Sequence, residues 1–199
     1  MKKTGLWTAL LVLGGTAGLL FLVFGGVYNS LVSSEEKVSE AWAQVENVYQ
    51  RRLDLIPNLV ETVKGYAEHE RETLEAVVQA RSKITETKFS PEVIKDPQAL
   101  AEFEEAQQGL TSALSRLLVL VERYPDLKAS QNFLALQSQL EGTENRITVE
   151  RKRFNEAARD FNTRIRVFPS SVVARVMGFS RKAYFASDEA ARTAPTVQF

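Results

Sequence analysis

The chain has 199 residues with 25 basic and 25 acidic side chains, so no charge excess points to nucleic acid as a partner. It has no cysteine. That excludes disulfides, thiolate metal sites, a cysteine nucleophile and a lipid-modified N-terminal cysteine. The length suits one domain plus an anchor.

Residues 6–27 carry no charge. As a helix they span roughly 33 Å at ~1.5 Å per residue, enough to cross the hydrocarbon core of a bilayer. Lys2 and Lys3 precede the run, and Glu35 and Glu36 are the first charges after it. The positive-inside rule then places residues 1–5 in the cytoplasm and the rest of the chain outside. The apolar run is longer than that of a cleaved signal peptide, and Val23–Gly25 is a poor match to an Ala-x-Ala cleavage site. Gly14 and Gly18 form a GxxxG, a helix-pairing face in membranes.

Residues 28–168 read as helices, because apolar side chains recur at spacings of three and four. Leu31, Val38, Ala41, Trp42, Val45, Val48 and Tyr49 mark a first helix. Leu59, Val60, Val63, Ala67, Leu74, Val77 and Ile84 mark a second. Between them stands RRLDLIPN, and Pro57 both lacks an N–H and clashes with the carbonyl of Leu53. A turn at Asp54–Pro57 gives four helices of comparable length and an elongated antiparallel four-helix bundle. The alternative is one long helix kinked at Pro57, because the apolar stripe keeps nearly the same phase across it. Asp96–Pro97 predicts the start of a third helix, with Asp96 capping and Pro97 at the first helical position. Its stripe runs from Leu100 and Phe103 to Val121 and Tyr124, and Pro125 is expected to end it. The fourth helix carries Phe133, Leu140, Ile147, Phe154, Phe161 and Phe168 at every seventh position, up to Pro169. No stretch alternates as a strand does, so the expected class is all-α.

The bundle with a turn at Pro57 would bring two polar loops to the end far from the membrane. Arg51, Arg52, Asp54, Pro57 and Asn58 come from one, and Tyr124, Pro125, Asp126 and Lys128 from the other. Together they are expected to form an interaction tip, with loop 88–96 near the membrane. Arg52 lies on the apolar stripe, so its head is expected to be held, with Asp54 its nearest counter-charge. The carbonyl of Leu53, freed by Pro57, needs another donor, and Arg51, Arg52 and Asn58 are near. Polar residues on the other stripes suggest a core layer of Glu70, Gln107, Glu144 and Arg151, which fixes helix register or lines a binding site. The tail, residues 169–199, interleaves Arg175, Arg181 and Lys182 with Phe179, Tyr184 and Phe185. Such a segment either lies on an anionic membrane surface or folds back to close the base of the bundle.

Catalytic patterns are absent. The single histidine, His69, cannot supply the paired Glu-x-x-His motifs of di-iron bundles. HExxH, GxSxG, Walker and GxGxxG patterns do not occur. No catalytic residue, cofactor or metal ligand is expected.

Three blocks carry a family resemblance: AWAQVENVYQRRLDLIPNLVETVKGYAEHE, YPDLKASQNFLALQSQLEGTENRI and RFNEAARDFNTRIRVFP, with GF and YF beyond them. They closely resemble LemA family proteins over nearly the whole chain, anchor included. Gln131 departs from the more usual Asn or Glu before Asn132. The resemblance implies a bacterial single-pass protein of the inner membrane with a helical bundle outside it. It brings no established activity. Relatives are often encoded beside membrane metalloproteases or TPM-domain proteins, and one is associated with magnetosome membranes. The expected role is therefore a scaffold or adaptor whose partners are the bilayer and other membrane proteins. A self-assembling homo-oligomer is the alternative, and an enzyme with a carboxylate site inside the bundle is the least favoured.

Overall fold

The computed structural model describes residues 2–86 and 92–186, with side chains from residue 10 onward. Its described residues form helices joined by turns and end in an irregular tail, with no strand. Helix α1 runs unbroken from Lys2 to Lys64, through Pro57. The chain therefore does not turn at Asp54–Pro57, and the single long helix is the arrangement adopted. Magnitudes explain this. A proline inside a helix costs about 3 kcal/mol. Leu53, Ile56, Leu59 and Val63 on the same stripe are each at most 3% exposed. Burying each such side chain stabilises by roughly 1.5–3 kcal/mol, so continuing the stripe outweighs the proline.

The orphaned carbonyl of Leu53 is indeed satisfied, but by none of the three nearby candidates. Arg81 reaches across and donates its Nε–H to that oxygen at 3.1 Å. An Arg81→Leu variant should lose about 1.5–3 kcal/mol, the range for a hydrogen bond from a charged group. In a Pro57→Ala background the N–H of residue 57 caps the same carbonyl, so Arg81→Leu should cost much less. Urea unfolding of the four variants checks this, and equal costs in both backgrounds would break the account.

The chain turns instead at 65–70. Gly65 donates to the Glu61 carbonyl, and Tyr66 and Ala67 both donate to that of Val63, closing α1. Helix α2, Arg71–Glu86, then descends. It has 16 residues, about 24 Å at ~1.5 Å each. It therefore stops partway down α1. Val93 and Ile94, in a short 3₁₀ turn at Val93–Lys95, belong to the same apolar cluster as Val38 and Trp42. Residues 88–91 of that predicted loop lie outside the described residues.

Helix α3, Pro97–Val121, begins as expected, with the Asp96 carboxylate accepting from the Gln98 N–H at 2.9 Å. Pro125 does not end it. The helix stops at Val121, and Pro125 opens the short α4, Pro125–Lys128. Proline fits that first position because its missing N–H has no partner to lose there. Helix α5, Gln131–Arg164, runs back along α1. Three pairs fix a nearly constant antiparallel register: Arg52 with Glu144, Trp42 with Phe154, and Ser30 with Arg164. Phe133, Ile147, Phe154 and Phe161 are buried along this seam. Phe168 is not: α5 has already ended, and Phe168 is 83% exposed. Helix α6, Ser170–Met177, packs Val173 and Ala174 against the base of α1 near Val27, Tyr28 and Leu31. Gly178 closes it in the left-handed conformation, φ 76°, which favours glycine.

The tail from Phe179 to Ala186 then runs extended between α1, α3 and α5. Asn162 and Asn155, seven residues apart on α5, hold it. Asn162 clasps the N–H and C=O of Lys182, both at 2.8 Å. Asn155 does the same to Phe185 at 2.9 and 3.1 Å. Phe185 is buried against Trp42, Phe103 and Phe154. Lys182 is buried, paired with Glu35 and set over the Phe161 ring. Phe179 packs on Tyr28 and Phe161. These three residues of the expected membrane-facing set therefore point inward, and Arg175, Arg181 and Tyr184 remain exposed.

Candidate functional site

Two apolar clusters fill the molecule. One runs from Leu31 to Tyr49 on α1, and the other from Leu53 to Val63. A polar cavity of about 350 Å³ lies where they meet. Its walls come from α1 (Tyr49, Arg52), α3 (Glu104, Gln107, Thr111) and α5 (Glu144, Arg151). All are on helices because each sits one turn from a buried stripe residue, so packing fixes its position.

Arg52 is the centre. Its residue surface is 4% exposed. One Nη lies 3.2 Å from Glu144 and the other donates to the Thr111 hydroxyl at 2.7 Å. Burial pulls its pKa below the usual arginine value, and Glu144 and then Tyr49 pull it back up. The head is held, as its place on the stripe implied, but not by Asp54. Residues two apart on a helix face different ways, and Asp54 accepts from Gln50 instead. Arg151 pairs with Glu104, donates to the Ala186 carbonyl at 3.2 Å and lies 4.6 Å over the Phe185 ring. The Tyr49 phenol is pushed up to about 12, by burial first and against the pull of Arg151 and Arg52.

Gln107 differs from its neighbours. It is 5% exposed, and neither its Nε2 nor its Oε1 has a partner. Among the described residues no other buried side-chain nitrogen or oxygen stands unpaired. No protein group pairs with this amide, which lines the cavity. The cavity as a whole balances two guanidinium groups against two carboxylates around a donor–acceptor pair. It suits a neutral, hydrogen-bonding ligand better than a strong anion or cation. No three His, Cys, Asp or Glu side chains converge to hold a metal among the described residues. His69 is exposed at the far end.

Gln107, Glu144 and Arg151 thus line one cavity, with Glu144 half exposed. Glu70 does not join them. With the turn moved to 65–70 it sits at the far end, accepting from the Tyr124 hydroxyl at 3.0 Å and pairing with Arg123 at 3.3 Å. That hydrogen bond, first, raises the Tyr124 pKa. The expected tip divides for the same reason. Tyr124, Pro125, Asp126 and Lys128 are at the far end, whereas Arg51 and Asp54 lie roughly 20 and 15 Å down α1 from Lys64 at ~1.5 Å per residue. Pro57 and Asn58 are exposed along the shaft of α1. Glu104, Thr111 and Tyr49 were missed as site residues. Tyr49 reads as plain core, and Glu104 and Thr111 lie beside the α3 stripe, with no sequence signal to lift them from the helix surface.

Fold and site together define an all-helical protein with a long, uncovered apolar N-terminal helix and a polar cleft in its helical body. The chain belongs to the LemA family, whose model matches residues 41–199. It is 26% identical over 177 residues to Protein LemA of Metamycoplasma hominis, covering 89% of this chain and 77% of that one. It is 28% identical over 174 residues to Magnetosome protein MamQ of Magnetospirillum gryphiswaldense, covering 79% of this chain and 64% of the relative. Magnetosome protein MamQ 2 of Paramagnetospirillum magneticum is 26% identical over 182 residues, with 83% and 67% covered.

Proposed function

We propose that the chain is a non-catalytic adaptor, anchored in the bacterial inner membrane by residues 6–27 with its N-terminus in the cytoplasm. Its cleft receives an extended segment of another membrane protein. The observation that carries this reading is the unpaired Gln107 amide in a groove already built for backbone. Asn155 and Asn162 each use a side-chain amide to clasp the N–H and C=O of one tail residue. Gln107 offers the same donor–acceptor pair to the adjoining cavity, unused. The apolar helix supports the anchor: its side chains from Leu10 to Phe24 carry no charge and are exposed. The MamQ relatives are named for a membrane organelle, which fits the same placement. Membrane metalloproteases and TPM-domain proteins are the first partners to seek.

Self-assembly is the second reading. Gly14 and Gly18 are open, with nothing within 4 Å of an added Cβ. Trp42 gives it no support, since it is 1% exposed and packed inside the protomer.

The chain lacks cysteine, so Ser112→Cys gives a single attachment point on the cavity rim. An impermeant thiol-directed photocrosslinker applied to spheroplasts should label it and capture a membrane protein. Capture should disappear with Gln107→Leu while helicity is unchanged. Labelling only after lysis overturns the orientation. Capture that survives Gln107→Leu, or a crosslink only within the chain itself, overturns the adaptor cleft.

A further inference from the structure

The corner between α5 and α6 exposes large apolar side chains for no internal reason. Phe168 is 83% exposed, Val176 69%, Val172 55%, Val167 49% and Met177 46%. Val172 and Val176 fall four apart and line one side of α6, and Phe168 lies just before its start. The opposite side is the one packed on α1, through Val173 and Ala174. From residue 161 to 186 there is no Asp or Glu, yet Arg164, Arg166, Arg175, Arg181 and Lys182 all occur. Of these, Arg166, Arg175 and Arg181 are exposed. Lys182 is buried against Glu35, and Arg164 bonds Ser30.

The height of this corner is fixed by its contacts. Arg164 reaches the Ser30 carbonyl at 3.3 Å. Phe168 follows just past the end of α5, and α6 beyond it packs Val173 and Ala174 against the base of α1 near Val27 and Tyr28. That is the level at which the uncharged run 6–27 of α1 ends. Tyr28 marks the same level, with its ring 6.1 Å from Phe179.

We propose that this corner sits in the headgroup layer of the bilayer that α1 crosses. Phe168, Val172 and Val176 enter the acyl boundary, and Arg166, Arg175 and Arg181 meet anionic lipid phosphates. An apolar stripe flanked by arginines, without carboxylates, has the composition of an interfacial segment. Single short segments bind membranes weakly, but the anchor holds this one beside the lipid at an effective concentration in the ~mM range. The occupant is lipid, not a second protein, because the patch lies beside the chain's own span and its charge is of one sign. A second contact with the bilayer would stop α1 from swivelling and hold the cleft at a set height.

The inference rests on the anchor, and the experiment reads the two separately. Full-length Val172→Cys and Lys128→Cys are each labelled with an environment-sensitive fluorophore. Both are placed in liposomes of phosphatidylcholine, with or without phosphatidylglycerol. Flotation with the liposomes reports anchoring alone. In floated protein the Val172 label should shift to the blue, resist aqueous iodide and be quenched by a headgroup-level lipid quencher. The Lys128 label, at the far end, should do the opposite. Arg166→Glu, Arg175→Glu and Arg181→Glu combined should reopen the Val172 label to iodide in phosphatidylglycerol liposomes. A floated chain whose Val172 label is as open to iodide as the Lys128 label overturns the proposal and leaves the anchor standing. Shielding from iodide without lipid quenching also overturns it, since that is contact with protein. Shielding unaffected by lipid charge or by the three glutamates removes the role given to the arginines.

Discussion

Phe185→Ala is expected to destabilise the full chain by about 3–5 kcal/mol, the range for deleting a buried aromatic ring. Phe185 is 3% exposed, and its ring lies 5.4 Å from Phe154, 6.0 Å from Trp42 and 6.4 Å from Phe103. Little can collapse into the hole. Trp42 and Phe103 are held on helices, and the strap itself is fixed by two asparagine clasps. The same truncation at Tyr184, 46% exposed, should stay within the ~0.5 kcal/mol usual for surface changes. Urea unfolding in mild detergent, followed by circular dichroism, measures both. If Phe185→Ala and Tyr184→Ala melt alike, the strap is not part of the core.

That strap shows where sequence reading stops. Phe179, Lys182 and Phe185 sit among arginines, and composition alone suits a membrane surface as well as a core. The choice is made by the side-chain amides of Asn162 and Asn155, which take the extended backbone of Lys182 and Phe185, twenty and thirty residues away. Nothing in local spacing reveals that pairing. Legible features were those set by one helix at a time. The stripe from Leu31 to Val63 was one, the Asp96–Pro97 start was another, and so was the seven-residue run from Phe133 to Phe161. The turn expected at Pro57 does not form, because the burial on either side of the proline outweighs its local penalty. Once that turn moved to 65–70, every height counted from it moved too. Glu70 left the polar layer for the far end, and Arg51 left the tip for the shaft. Gln107, Glu144 and Arg151 kept their company because their registers run through α3 and α5, whose ends were placed nearly right. Arg52 was legible as a held charge but was expected at the tip and not in the cleft, since its partners Glu144 and Thr111 belong to other helices.

Glu144→Ala is expected to cost more than Arg52→Met, although both break the same ion pair. The two side chains are 51% and 5% exposed respectively. Without Arg52, the Glu144 carboxylate is already half in water and loses little. The loss should be about 1 kcal/mol, as for surface pairs, plus whatever packing Met fails to restore. Without Glu144, the guanidinium stays buried with only the Thr111 hydroxyl at 2.7 Å. An uncompensated buried charge of this kind costs roughly 3 kcal/mol, the low end of the range for breaking a buried pair. The low end applies because the cavity admits water to one side of Arg52. In an Arg52→Met background there is no buried charge to strand, so Glu144→Ala should then cost almost nothing. Urea unfolding of the parent, both single variants and the double variant gives the cycle. Equal single costs, or a larger one for Arg52→Met, would mean that the charge is not what the cleft wall holds in place. The asymmetry bears on binding as well. Arg52 is the fixed wall and Glu144 the movable one, so a segment entering beside Gln107 can displace the carboxylate toward water at small cost. Glu144→Gln, which keeps the shape but not the charge, should therefore alter capture at the Ser112→Cys rim less than Gln107→Leu does. The reverse order would place recognition on charge and remove Gln107 from the centre of the cleft.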